Sequence, residues 1–202
     1  NDEDEFLSFL PMCHAYERIV LYSFIITGGL VTIAQSIEAL SANINQVKPS
    51  IITAVPKMLE TVKSRIESAI RKEKDPKKDL IFKAINLSLK YIGSKKIPFT
   101  DKLKLRVYDK LIFSKMRDKL GGNLKYIVSG GAALQPEIQR FFHAIGIKIL
   151  QGYGLTECSP VVSVNIPENL EIGTVGPPMK NVEIKIEANG EVLVKGDLVM
   201  KG

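Results

Sequence analysis

Two short segments of this 202-residue chain combine side chains that could do chemistry with backbone that could approach a ligand. The first is Ser129-Gly130-Gly131-Ala132-Ala133, whose small residues let the main chain come close to a flat or anionic group and leave N–H and C=O groups free to bind it. On its own, a glycine pair after a strand serves equally as a plain tight turn. The second is Gln151-Gly152-Tyr153-Gly154-Leu155-Thr156-Glu157, read as a flexible, aromatic-bearing turn that sets a hydroxyl beside a carboxylate. A threonine hydroxyl can bond a phosphate oxygen while an adjacent glutamate holds Mg²⁺, an ion that keeps waters and bridges to phosphates. Thr156-Glu157 could also simply open a helix. Cys158 follows at once, with no histidine suggestively placed beside it, and reads as a small buried thiol.

The elements that must position these segments alternate. Leu124 to Val128 reads as a strand before the first segment, Pro136 to Ala144 as a helix, and Ile147 to Leu150 as the strand that leads into the second. Upstream, Ile19 to Ile37 carries no charged side chain over nineteen residues, close to the length of a membrane span. Gly28-Gly29 in its middle, the scattered Thr, Gln and Ser, and a change to β-rich Leu30 to Ala34 argue instead for a buried helix from Tyr16 to Ile26. A buried strand follows, covered on both faces as in parallel sheets. Ile37 to Val47 reads as a helix, Ser50 to Val55 as a strand, and Pro56 opens a helix to Lys72, where its missing N–H costs nothing. Strand and helix in alternation imply parallel pairing, with ligands at the carboxyl ends of the strands. Beyond Pro160 the style turns to short strands, with a hairpin of Val182 to Ile186 and Glu191 to Val194 around Asn189-Gly190. The fold class expected is α/β, a mostly parallel sheet flanked by helices with a C-terminal antiparallel β portion. Residues 1–160 form the α/β part and 161–202 begin a β-rich part.

Composition is ordinary for a globular chain, 45% hydrophobic and 25% charged, which excludes a disordered tail, a collagen-like repeat and a disulfide-stapled miniprotein. Two cysteines, Cys13 and Cys158, make no disulfide framework and suit a reducing compartment. The net charge of +6 is unevenly spread. Residues 57–119 hold 19 Lys or Arg against 8 Asp or Glu, a local net of +11 that leaves −5 elsewhere. Apolar residues recur there at helical spacing, as in Ile81, Ile85, Leu89 and Ile92, or Leu105, Tyr108, Leu111, Ile112 and Met116, with Gly121-Gly122 as the stop. Such helices serve as a solvated face or as a contact for an anionic membrane or acidic partner. Nothing in the segment resembles a nucleic-acid motif.

In combination the segments are more specific. Ser-Gly-Gly-Ala from Ser129, then Gln-Gly-Tyr-Gly-Leu-Thr-Glu from Gln151, then Gly173-Thr174-Val175-Gly176-Pro177-Pro178, Gly190-Glu191-Val192-Leu193-Val194-Lys195-Gly196 and Met200-Lys201-Gly202 stand in the order seen in the adenylate-forming (AMP-binding) superfamily, which this chain resembles. Leu10-Pro11-Met12-Cys13-His14-Ala15-Tyr16-Glu17-Arg18 and the basic helices look most like the long-chain fatty acyl-CoA synthetase branch. The resemblance implies an enzyme that activates a fatty carboxylate with ATP and passes the acyl group to coenzyme A, in the cytoplasm and in peripheral contact with the inner face of a membrane. It implies that Gly130, Gly131 and Ala132 pack against adenine and border the acyl pocket. Gln151, Gly152 and Tyr153 would hold the nucleotide, Thr156 would contact phosphate, and Glu157 would bind magnesium. His14, with Tyr16, falls beside the acyl chain and the reacting carboxylate.

Other readings stand beside this one: an aryl, short-chain or amino acid adenylating enzyme, and a non-catalytic membrane-associating α/β module. The sequence also departs from the family. It has no Ser/Thr/Gly-rich phosphate loop with its lysine, no later Thr-Gly-Asp and no C-terminal domain with a catalytic lysine. With no initiator Met before Asn1-Asp2-Glu3, the expectation is an internal piece of a longer enzyme, lacking N- and C-terminal parts of the same chain and inactive alone.

Overall fold

The computed structural model describes residues 4–36, 38–94 and 96–201. Six strands make one sheet: β1 (Glu5–Ser8), β2 (Leu30–Ile33), β3 (Ile51–Ala54), β4 (Tyr126–Ser129), β5 (Lys148–Gly154) and β6 (Val161–Val164), in the order β2-β1-β3-β4-β5-β6. The first five run parallel and β6 returns antiparallel on β5. Parallel neighbours require crossovers. Helices supply them: α1 (Ala15–Ile26), α2 (Leu40–Val47), α3 (Pro56–Arg71), α4 (Lys77–Lys90), α5 (Phe99–Tyr108), α6 (Ser114–Asp118) and α7 (Pro136–Ala144). α5 passes through a π-helical turn, Asp109–Phe113, directly into α6. A separate hairpin pairs β7 (Glu183–Ile186) with β8 (Val192–Lys195) around Asn189-Gly190, as the sequence implies. The fold is the expected mixed α/β architecture. β6 lies beyond residue 160, yet its hydrogen bonds put it in the main sheet.

Register sorts the residues of the sheet onto two faces. Leu7, Ile52, Ile127 and Ile149 stand side by side on one face and join the main core with residues of α3, α4 and α7. Phe6, Ser8 and Thr53 belong to the other, which carries α1 through the stacked rings of Phe6 and Phe24, with centroids 4.8 Å apart. A second, small cluster of Cys158, Val162 and Val182 seats the hairpin, with Ile184 and Val194 packed against it.

Three expectations are corrected. β2 is not covered on both faces: it is the outermost strand, and Leu30 and Ile33 are 60% and 58% exposed. α1 is not a buried helix, although Tyr16, Glu17 and Phe24 touch the sheet. Its one buried residue is Glu17, while Tyr22, Ile25 and Ile26 face outward. Gln151 to Gly154 is not a turn but the end of β5, since the returning β6 gives those residues ladder partners, Gly152 opposite Val164 and Tyr153 opposite Ser163. Ile37, where the sequence starts the second helix, lies outside the described residues, as does Gly202. Among the described residues, no helix is long and apolar enough to cross a membrane.

Candidate functional site

The carboxyl ends of β4 and β5 bring the two segments together. Ser129 and Gln151 are register partners on these adjacent strands, so the Gly130 loop and the Thr156 turn leave the sheet at the same end. α1 reaches that end from the far side. The Tyr16 hydroxyl donates to the Val128 carbonyl at 2.7 Å, and burial, followed by the neighbouring Glu17, pushes its pKa well above the usual tyrosine value, so it stays a donor. Its ring fixes Gly130: a Cβ there would lie 3.0 Å from Tyr16 Cε2. A larger residue there fits only if the ring gives by a few tenths of an ångström. Gly154 is demanded outright by the Pro160 carbonyl, as the chain turns back into β6.

His14 caps α1. Its Nδ1 accepts from the Tyr16 N–H at 3.2 Å, so the neutral ring carries its proton on Nε2. A cleft of about 380 Å³ opens beside it, lined by His14, Arg18 and Tyr22 on the α1 side and by Thr156, Ser159 and Pro160 on the other. His14 and Thr156, 142 positions apart in sequence, thus share one cavity. Arg18 brings a cation one helical turn beyond His14; its Nε donates to the Met12 carbonyl at 3.2 Å. Cys13 is exposed at the same cleft, and Cys158 is buried, as its reading as a packed thiol requires. α1 is held down by Glu17, whose Oε1 accepts from the Ser8 hydroxyl at 2.6 Å.

Several polar atoms here are buried without a hydrogen-bond partner: the hydroxyls of Ser129 and Ser163, and Gln151 Oε1. All three lie on one face at the ends of three adjacent strands, as the pairing of Ser129 with Gln151 and of Tyr153 with Ser163 dictates. A buried polar group left unpaired costs on the order of 1–3 kcal/mol. The three gather at the carboxyl end of the sheet, on the face of Ile127 and Ile149. Asn165, 1% exposed, closes the far side: its Nδ2 donates to the Thr174 carbonyl at 2.6 Å and its Oδ1 accepts from Glu171 N at 3.2 Å. With the Gly173 N–H donating to Gln139 Oε1 at 3.0 Å, this stitches the Gly173-to-Pro178 segment to the same end of the sheet.

Not every expected residue converges. Gly131 and Ala132 stand exposed at the sheet edge, outside the cleft lining, and Tyr153 is partly exposed on β5. Glu157 is exposed next to Thr156, its backbone carbonyl accepting from Met200 N at 2.8 Å. Among the described residues no group of three or more His, Cys, Asp or Glu could hold a metal. A single exposed carboxylate beside a threonine hydroxyl fits Mg²⁺, which takes one or two protein carboxylates and leaves its other positions to water and phosphates. The sequence did not single out Ser163, Asn165 or a ligand role for Arg18. For Arg18 the signal was present, as a cation four residues after His14 on one helix face.

A second cleft, about 390 Å³, opens at the opposite, amino ends of β4 and β5. Its Arg117 is already paired with Asp109 at 2.7 Å and its Lys125 with Asp4 at 3.0 Å. The carboxyl end is where unsatisfied groups gather.

The family model described as AMP-binding enzyme matches residues 1–202. The chain is 31% identical to long chain acyl-CoA synthetase 4 of Arabidopsis thaliana, covering 99% of this chain and 32% of that protein. It is 34% identical to a chloroplastic long-chain-fatty-acid–[acyl-carrier-protein] ligase of the same plant, covering 98% and 32%. Among solved structures it is similar to o-succinylbenzoate coenzyme A synthetase of Bacillus subtilis in complex with ATP and magnesium ion, with a TM-score of 0.60 at 21% identity over 100% of this chain and 34% of the other. At that identity the likeness bears on the fold.

The chain belongs to the AMP-binding enzyme family, whose members form adenylates on carboxylates. It spans about a third of the length of the relatives it matches.

Proposed function

We propose that this chain is the nucleotide- and acyl-facing part of a long-chain fatty acid–CoA ligase, working in the cytoplasm with peripheral contact at the inner face of a membrane. The observation that carries the reading is the cleft joining His14 to Thr156 beside the Tyr16–Gly130 contact, at the carboxyl ends of parallel strands. Two half-reactions follow from such a site. A carboxylate oxygen bonds to the α-phosphorus of ATP as the bond to pyrophosphate breaks; the coenzyme A thiol, losing its proton, then bonds to the acyl carbon as AMP leaves. Neither step needs a protein nucleophile, so the work is positioning and charge neutralisation.

In this reading the Thr156 hydroxyl donates to a phosphate oxygen and Glu157 holds Mg²⁺, which supplies charge neutralisation when bound. The Gly130-Gly131-Ala132 loop packs on adenine, and Gln151, Gly152 and Tyr153 hold the nucleotide from the end of β5. His14 offers Nε2–H to the reacting carboxylate, and Tyr16 braces the acyl side. The relatives' names support a long acyl substrate, and their length supports a site completed by other parts of the same polypeptide, so the 202 residues alone do not adenylate.

The test is ATP–pyrophosphate exchange by the full-length polypeptide with a panel of long-chain, short-chain, aryl and amino acids. Exchange driven by long-chain fatty acids, lowered about 100-fold or more by Thr156→Val or Glu157→Gln, is the expected result. Exchange driven only by an aryl, short-chain or amino acid overturns the chain-length assignment, and no exchange with any carboxylate overturns the ligase. Exchange by the 202-residue chain alone overturns its incompleteness.

A further inference from the structure

The helix that begins at Phe99 exposes what a soluble helix normally hides. Phe99 is 81% exposed, Leu103 and Leu111 55% each, and Val107 47%. Four-residue spacing puts them on one stripe, because residues four apart on a helix lie one above another. α5 itself has no buried residue. The helix is held from its other side: Tyr91 donates to Asp101 at 2.6 Å, the Arg117–Asp109 pair spans the π turn, and Ile112, Phe113 and Met116 enter the core.

The charge beside the stripe is one-sided. At about 100° per residue, Lys102 and Arg106 flank it on one side and Lys104 on the other. Both acids of the segment are already engaged, Asp101 by Tyr91 and Lys104 and Asp109 by Arg117. Among the described residues Lys102, Arg106 and Lys110 have no acidic partner, within a region whose net charge is +11. An apolar stripe rimmed by uncompensated cations is complementary to an anionic bilayer, which takes the apolar side chains at the acyl boundary and the cations at the phosphates.

We propose that the stripe running from α5 into the π turn, Phe99, Leu103, Val107 and Leu111, with Lys102, Lys104, Arg106 and Lys110, is a docking surface for anionic phospholipid membranes, lying in the plane of the interface. α1 supplies the contrast within the same molecule. Its Tyr22, Ile25 and Ile26 are also exposed, but no charged residue occurs from Ile19 to Ile37, so the lipid phosphates have nothing to meet there. The inference gives a surface to the membrane contact of the functional reading and rests on that reading only in this. Vesicle binding needs neither ATP nor carboxylate, so each can fail while the other stands.

These 202 residues hold no tryptophan, so Phe99→Trp adds a reporter at an exposed position outside the core. With phosphatidylcholine–phosphatidylglycerol vesicles its emission shifts to the blue and is quenched by lipids brominated on the acyl chains, while phosphatidylcholine alone gives neither. Adding Lys102→Gln and Arg106→Gln weakens vesicle binding about 30-fold, at about fivefold per cation. An Ile26→Trp reporter stays unchanged. Absence of the shift overturns the proposal, as does an equal shift at Ile26→Trp. Salt-sensitive vesicle binding that survives Phe99→Ser with Leu103→Ser overturns it too, in favour of a purely electrostatic surface for an acidic protein.

Discussion

The two faces of the six-stranded sheet are held by different chemistry. Under α3, α4 and α7 the contacts are apolar: Leu7, Ile52, Ile127 and Ile149 meet Leu59, Ile85, Ile138 and Phe142. Under α1 a single aromatic stack, Phe6 on Phe24, is joined by polar and directional contacts, Ser8 to Glu17 and Tyr16 to Val128. Apolar contact is non-directional and scales with area, whereas hydrogen bonds fix orientation at little net gain in free energy. The first face makes the fold stable, and the second aims His14 and Tyr16 at the strand ends. Removing parts from each face should therefore fail in different ways.

The largest effect belongs to the apolar face. Phe142 is fully buried, with its ring edge-on to Phe141 at 5.6 Å. Phe142→Ala should cost about 3–5 kcal/mol of unfolding free energy, read from the denaturant midpoint. Affinity for an acyl-adenylate analogue, measured on the folded fraction, should stay within about twofold. A parallel collapse of affinity would show that the two faces do not act separately.

Gly130→Val reverses the pattern. Its new side chain would collide with the Tyr16 ring, at a stability cost of about 1–3 kcal/mol, the usual range for overpacking. The same collision moves the loop that faces the ligand, so the analogue should bind at least about tenfold more weakly by calorimetry. A variant that binds normally would break the link between α1 and the loop.

This contrast was only half legible in the sequence. α7 runs Pro136–Ala144 as expected, and Pro56 opens α3, because proline at a first turn is a local signal. The convergence of the Gly130 and Gln151 segments was readable as well, since alternating strands and helices put strand carboxyl ends on one edge. What escaped was non-local. An uncharged run from Ile19 to Ile37 says that the residues are apolar, not that β2 is the edge and α1 half-open. Gln151 to Gly154 reads as a turn by its glycines, and becomes strand only because β6 returns to pair with it. Nothing local marks Glu17 for burial, which depends on Ser8, nine residues earlier.

The smallest expected effect probes a polar seam on the apolar side, where Gln139 Nε2 of α7 also donates to the Ile149 carbonyl at 3.1 Å. His143, on α7, accepts the Ile149 N–H through Nε2 at 3.1 Å, tying the helix to β5 two residues before Gln151. Burial first, and the neighbouring Lys148 after it, lower its pKa below the usual 6.5. The unfolded chain therefore binds the proton more readily than the folded one. The seam's contribution is complete above pH 6.5 and is lost as pH falls through the lowered value, because a protonated Nε2 can no longer accept from Ile149. Wild-type stability should thus decline as pH falls below about 6.5 relative to His143→Leu, which cannot titrate. The variant should begin about 1 kcal/mol less stable at pH 7.5, with Ile149 N–H unpaired, and the two should approach each other as pH falls. Parallel stability curves would show that the seam does not sense the proton.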